Sequence, residues 1–204
     1  MRRTLGQGMR GVQIRPWNRS NADIAQMAQV DFAAYDQPWN RPTIASFLRQ
    51  RCHGAILATC AYTVSTEDIE HLAYRLWIAQ GEPSNTADVD WKRAEENLNL
   101  HHADTVIGQA YYEYVERDPD TWTVDIWGLA VLPQLRRHGV GSAIIGKMLR
   151  MRNRCRDIEC IVTVENTAAN DFLRKNGFRA GEILREFYER TGEDAVRMQR
   201  QKAC

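Results

Sequence analysis

Between Leu129 and Ala143 the chain reads Leu-Ala-Val-Leu-Pro-Gln-Leu-Arg136-Arg137-His138-Gly139-Val140-Gly141-Ser142-Ala143. These residue types suit an anion. An apolar, strand-like run ends in a Pro-bearing loop, basic residues follow, and glycines open a helix. Glycine removes the Cβ where a backbone must approach a ligand closely. Free N–H groups at a helix start favour negative charge, most naturally a pyrophosphate. Arg136 and Arg137 would add charge-assisted bonds. Two nucleotide motifs are excluded by spacing. No Gly-Lys-Ser/Thr completes a Walker loop. After Gly139-x-Gly141 the dinucleotide fingerprint needs a third glycine where Ile144 stands.

Other residues could carry chemistry. Alternation places Asp125, Trp127, Leu129 and Val131 on one strand face. A carboxylate beside Trp127 has surroundings that raise its pKa toward general-base range. Alternation also puts Tyr112 and Tyr114 on one face and Tyr111 on the other. His101-His102 lacks a third ligand at metal spacing, so no metal is expected. Lys147, Arg150, Arg152, Arg154 and Arg156 make a basic helix end, read as a solvated face favoured at a helix C-terminus. The five cysteines are odd in number and show no C-x-x-C pair, which fits a reduced protein with packing thiols.

Composition narrows the class. The chain has 204 residues, 27 Lys plus Arg against 26 Asp plus Glu, and a net charge of +1. That length fits one domain, 1–204, with an appendage. Near-neutrality argues against a dedicated nucleic-acid binder. The longest mostly apolar stretch, Gly54 to Tyr62, is far short of the roughly 18–20 residues of a membrane helix. The start lacks the apolar middle of a secretory signal, so a cytoplasmic location is expected.

The elements that must position these residues follow from periodicity. Val12–Pro16 reads as a short strand. Ser20 or Asn21 caps a helix over about 22–34. After a turn-rich loop, Thr43 begins a second helix, and His53 to Cys60 reads as a buried strand. Residues 61–104 differ in character. They hold two amphipathic helices, one with Ile69, Leu72, Leu76 and Trp77 on its apolar face, the other with Trp91, Ala94 and Leu98. Strands follow over 105–115 and 121–132, then a helix over 139–153, a strand over 157–164 and a helix over 167–176 ended by Gly177. The tail reads as a hairpin turning near Thr191-Gly192.

With Arg136-x-x-Gly139-x-Gly141 meeting the pattern Q/R-x-x-G-x-G/A, the chain resembles the GNAT superfamily of N-acetyltransferases. Asn166 stands eleven residues before Gly177, as in that family's Asn…Gly-Phe segment. Phe32, Pro38-Trp39-Asn40 and Leu48 resemble the acceptor loop of the ribosomal-protein alanine N-acetyltransferase group. Phe187-Tyr188 and Glu193-Asp194-Ala195-Val196-Arg197-Met198 resemble its last hairpin. Residues 61–104 resemble a small helical module that implies no chemistry of its own.

The resemblance implies an α/β (α+β) fold: a mixed, mostly antiparallel twisted sheet flanked by helices, with 61–104 as a helical-hairpin insertion. It implies acetyl-CoA as cosubstrate. The backbone of Leu129 and Val131 would hold the pantetheine. The N–H groups of Arg137, His138, Gly139, Val140, Gly141 and Ser142 would hold the pyrophosphate, and Asn166 would reach the pantetheine arm. The reaction would be direct attack of a primary amine on the thioester. The preferred acceptor is a protein or peptide α-amine, with a small-molecule amine or a non-catalytic acetyl-CoA-binding role as alternatives. A second copy of the chain is a candidate partner. Two side chains depart from the group's pattern. Its glutamate five residues before the motif Asn is Ile161 here, and its tyrosine four before the glycine of Gly-Phe is Leu173. Asp125, Glu165 and Tyr188 are the candidates to replace them.

Overall fold

The computed structural model describes residues 9–35, 37–62, 66–81, 83, 86–98, 104–118, 121–151 and 155–201. Seven strands and six helices follow one another in these residues as β1 (Met9–Pro16), α1 (Asn21–Ala34), α2 (Arg41–Arg49), β2 (His53–Tyr62), α3 (Thr66–Ala79), α4 (Ala87–Leu98), β3 (Thr105–Asp118), β4 (Thr121–Val131), α5 (Val140–Leu149), β5 (Cys155–Thr163), α6 (Thr167–Lys175), β6 (Arg179–Tyr188) and β7 (Glu193–Gln201). The strands form one sheet in the order β1-β2-β3-β4-β5-β7-β6. Among the described residues, only the β4–β5 pair is parallel. This is the mixed, mostly antiparallel sheet that the resemblance implied.

Local sequence explains the helix starts. The Ser20 side chain accepts from the Ala22 N–H, and Asn40 accepts from the Thr43 N–H. Both meet a donor left over at a helix N-terminus. The helix α5 is shorter than the periodicity predicts. It ends at Leu149, where the Arg150 N–H turns back to the Lys147 carbonyl in a tighter last turn. Arg152 and Arg154 lie outside the described residues, as do His101 and His102.

Alternation along β3 sorts the two faces of the sheet. Gln109 and Tyr111 point to α1, where Gln109 donates to the Met27 carbonyl. A Cβ on Gly108 would point the other way, 3.2 Å from Val140 of α5. The core therefore has two layers. Met27, Val30 and Ile44 fill one side, and Ile144, Ile145 and Met148 the other. Each such fully buried aliphatic contributes roughly 1.5–3 kcal/mol.

Tyr112 and Tyr114 share one face, their rings 5.2 Å apart, while Tyr111 stacks on Trp39 across the sheet at 5.1 Å. The helices α3 and α4 pack on each other. Trp77 Nε1 donates to the Pro83 carbonyl at 3.1 Å, and Gln80 Nε2 to Asp90 at 2.7 Å. Among the described residues, no helix is long and apolar enough to cross a membrane.

Candidate active site

The two parallel strands part company halfway along. Pairing of β4 with β5 runs from Trp122 and Cys155 to Ile126 and Cys160 and then stops. Beyond that rung β4 continues against β3 as far as Val131, and β5 continues against β7 as far as Thr163. A notch opens between them. Its cause is a β-bulge. Tyr112 pairs with Ile126 and Tyr111 with Gly128, so Trp127 is an extra residue on β4. Such an insertion bends the strand and increases its twist.

Hydrogen-bond phase decides what the notch offers. The Leu132 N–H donates to the Ile107 carbonyl at 3.0 Å. Opposed residues of an antiparallel pair alternate between bonded and non-bonded positions. Two and four residues from that rung, Ala130 and Gly128 also face β3. Leu129 and Val131 therefore turn their N–H and C=O groups away from β3, into the notch. Arg136 bears this out, because its Nε donates to the Val131 carbonyl at 3.2 Å.

At the far end of the notch stands the start of α5. Its N-cap, Gly139, has φ of 85°, and no side chain caps the helix. The leading N–H groups of α5 have no intrahelical partner and carry the positive end of the helix dipole. Arg137 and His138 are exposed beside them. The two motif glycines serve different ends. Gly139 is needed for its left-handed backbone. Gly141 is needed for packing, since a Cβ there would lie 3.0 Å from the Phe172 ring of α6. Asn166 caps α6, its Oδ1 accepting from the Ala169 N–H at 3.0 Å.

The bulge overturns one expectation. Asp125, Trp127, Leu129 and Val131 do not share a face. Before Trp127 the face of Asp125 looks toward α1 and α2, and the Trp127 ring meets Phe47 of α2. After it, Leu129 falls opposite Ala110, and a Cβ on Gly141 of α5 would be 3.6 Å from the Leu129 side chain. One strand thus presents acid to one layer and apolar side chains to the other.

Asp125 is not alone on its face. Cross-strand register lines up Glu113, Asp125 and Glu159 on β3, β4 and β5. Glu159 is buried and accepts from Gln199 at 2.7 Å, Arg197 at 3.2 Å and Arg117 at 3.3 Å. Trp127 Nε1 donates to Glu113 at 3.2 Å, and His53 Nε2 lies 3.4 Å from the other Glu113 oxygen. Burial pushes the Asp125 carboxyl above its ordinary value. Glu159 and Glu113 push the same way, and Arg117 and Arg197 oppose them. Burial likewise raises the Tyr188 hydroxyl, with Glu193 and Cys160 adding to it. Cys160 also feels Asp125 and Glu159. By register Tyr188 pairs with Glu193 of β7, five residues along that strand from Met198, the partner of Cys160.

Glu165 is not brought to this row of acids. It is exposed on the β5–α6 turn, six residues past Glu159, which is roughly 20 Å of extended chain. Leu173 is buried core. Sequence reasoning missed two residues. Glu159 is two positions before Ile161, so it shares that residue's face and supplies a carboxylate from the same strand. Tyr35, at the end of α1, sits within the Phe32…Trp39 loop, and its hydroxyl lies over Gly128, its pKa raised by burial and opposed by the neighbouring Leu129 backbone N–H. Below this loop the buried Asp31 carboxylate accepts from Gln109 at 2.6 Å and Tyr111 at 3.1 Å. Its pKa is pushed up to about 6 by burial, against those two bonds and one from the Trp39 backbone. Among the described residues, no group of three His, Cys, Asp or Glu could hold a metal.

Several solved structures share this architecture. The ribosomal-protein-S18-alanine N-acetyltransferase from Escherichia coli is 18% identical over 95% of this chain and 96% of that one, with a TM-score of 0.61. NAA60 of Arabidopsis thaliana, in complex with a bisubstrate analogue, is 14% identical over 94% and 99%, with a TM-score of 0.65. Naa50 of the same plant, in complex with the bisubstrate analogue CoA-Ac-MVNAL, is 17% identical over 93% and 97%, with a TM-score of 0.58. At these identities the likeness is one of fold. No curated protein matches the chain. The sequence itself matches the Acetyltransferase (GNAT) family over residues 59–178, more than half of the chain and all of the notch, and the chain belongs to that family.

Proposed function

We propose that the protein transfers the acetyl group of acetyl-CoA directly to a primary amine, and that the acceptor is the N-terminal α-amine of a peptide or protein. The observation that carries the reading is the meeting of two provisions at one place. Where β4 leaves β5, the Leu129 N–H faces the notch, and Asp125 with Glu159 stands on the last paired stretch. One provision polarises a carbonyl and the other takes a proton.

The residues present fit the cofactor. An N-terminus of α5 without a side-chain cap, with a left-handed Gly139, suits a pyrophosphate. The edge of β4 at Leu129 and Val131, no longer paired with β5, suits an extended, amide-bearing arm once Arg136 yields the Val131 carbonyl. Bound acetyl-CoA supplies an activated acyl group on a good leaving thiolate. The chain's own groups do the rest. The Leu129 N–H draws electron density from the acyl oxygen. Asp125, with its pKa raised, takes the proton that the attacking ammonium must lose, directly or through water. Amine nitrogen then bonds to the acyl carbon, the carbon–sulfur bond breaks, and the thiolate leaves and is protonated. Tyr188, whose hydroxyl keeps its proton because burial raises it, is the candidate donor for that last step.

Peptide acceptors are favoured because the loop after α1 borders the same site and carries Pro38, Trp39 and Asn40, and because the Naa50 neighbour binds CoA-Ac-MVNAL. The acid row of Glu113, Asp125 and Glu159 would also receive a small cationic amine, which is the second reading. A thiol-release assay over a panel of N-terminal peptides and small amines tests both. Release with peptides supports the first reading. Release with small amines alone overturns it in favour of the second, and binding of acetyl-CoA without release from any amine overturns both.

A further inference from the structure

We infer that Tyr35 is a further catalytic residue, its hydroxyl acting beside the Leu129 N–H as a second donor to the acyl oxygen, and that Arg75 of the 61–104 insert is the residue that positions it. The inference rests on the acetyl-transfer reading above.

Three observations meet at Tyr35. First, its hydroxyl oxygen lies 3.4 Å from where a Gly128 Cβ would stand, next to the Leu129 N–H that hydrogen-bond phase turns into the notch. That N–H opposes the rise of the hydroxyl's pKa, as a donor facing it does. Second, the hydroxyl keeps its proton. Burial and the charge of Asp31 hold its pKa well above the usual phenol value. A neutral hydroxyl beside the Leu129 N–H can donate to an oxygen that this N–H also meets, once the ring moves aside to admit it. In the occupied site the two donors then face the charge as it develops.

Third, the backbone that carries Tyr35 is fixed from two sides. The last carbonyls of a helix lack intrahelical partners. At the end of α1, Arg75 Nη1 donates to the Ala33 carbonyl and Nη2 to the Tyr35 carbonyl, both at 2.8 Å. Arg136 Nη2 reaches the Ala34 carbonyl between them at 3.4 Å, while its Nε holds Val131. The Arg75 guanidinium also lies over the Phe32 ring at 5.9 Å. Arg136 ties α1 to the notch strand, and Arg75 ties it to the insert. Through that pair of bonds the helix α3, remote along the chain from the notch strand, sets the height of a hydroxyl at the notch.

The test uses the whole chain and acetyl-CoA carrying ¹³C in its carbonyl. In the wild type the carbonyl band of the bound thioester shifts to lower frequency, as two donors require. In Tyr35→Phe, which keeps the ring and loses the donor, the shift is smaller. The turnover number falls by about ten- to a hundredfold, and the dissociation constant for acetyl-CoA stays within about twofold, since the donor acts mainly on charge that develops in the transition state. Arg75→Ala lowers turnover in the same direction, and Arg75→Lys recovers part of it. Tyr35→Phe/Arg75→Ala falls no further than Tyr35→Phe alone, because the two act as a unit. A Tyr35→Phe protein with wild-type turnover and band position overturns the inference. So does one that binds acetyl-CoA more tightly at undiminished turnover, which would make the hydroxyl a mere cover on the amide. If the wild type itself does not bind acetyl-CoA, the acetyl-transfer reading falls, and the inference with it.

Discussion

Asp125 and Glu159 sit side by side on neighbouring strands, and one nitrogen of Arg117 lies 3.3 Å from a carboxylate oxygen of each. Burial raises the Asp125 carboxyl, the shared guanidinium opposes that rise, and the charge of Glu159 adds to it.

Asp125 must be ionised to take a proton, so kcat/KM should fall as pH drops through its pKa. That limb should lie above the ordinary carboxylate range, because burial and the two neighbouring acids raise the group. Asp125→Asn should lower kcat by about a hundredfold and abolish the limb while leaving acetyl-CoA affinity unchanged. A pH–rate profile of both proteins checks it. Unchanged turnover would remove Asp125 from its role.

Neighbour substitutions should move the limb in opposite directions. Glu159→Gln removes a charge that raises Asp125, so the limb moves to lower pH. Arg117→Gln removes one that lowers it, so the limb moves to higher pH. The signs, read from the same profiles, separate an electrostatic role from a structural one.

The two motif glycines should fail differently. Gly139→Val forces a branched residue to φ of 85° and disturbs the start of α5. Calorimetric titration should show acetyl-CoA binding weakened at least tenfold, with a stability loss of about 1–2 kcal/mol. Gly141→Ala drives a methyl to 3.0 Å from Phe172. Denaturant unfolding should show a loss of about 1–3 kcal/mol, relieved in Gly141→Ala/Phe172→Leu.

Asp31 should leave a mark on stability. Its folded pKa of about 6 lies above the ordinary carboxyl value of 3.8. Between those values the folded chain holds a proton that the unfolded chain has released, so stability falls as pH rises from about 4 to about 6. The change attributable to this buried group is up to about 3 kcal/mol. Urea unfolding across that range should show the wild type losing ground relative to Asp31→Asn, with the gap constant above it. A gap that does not vary with pH would contradict the assignment.

Much of this was legible in the residues. The order of elements is written in caps and periods, as at Ser20, Asn40 and Gly177. The α5 cradle is written in Arg136-x-x-Gly139-x-Gly141. The bulge was not legible, because alternation looks unbroken through Trp127, and one extra residue reverses every side chain after it. Glu159 was hidden by counting from the motif Asn rather than by face. Tyr35 and Arg75 could not be read at all. Their roles exist only once the end of α1 meets both the notch strand and the insert, which are remote from it along the chain.

The placement of α3 and α4 has a kinetic side. Strands β2 and β3 are neighbours that pair from Cys60 with Thr105 onward, yet 44 residues separate those two positions. Joining strand ends across a flexible tether of that length costs about 2 kcal/mol more than across a four-residue turn. A hairpin of helices held by Trp77 on Pro83 and Gln80 on Asp90 forms from local contacts, on a timescale short compared with sheet assembly. Once formed, it shortens the tether. Breaking those local bonds should therefore slow refolding more than it speeds unfolding, so the segment that braces Tyr35 in the finished protein also hastens the zipping of the sheet beneath it.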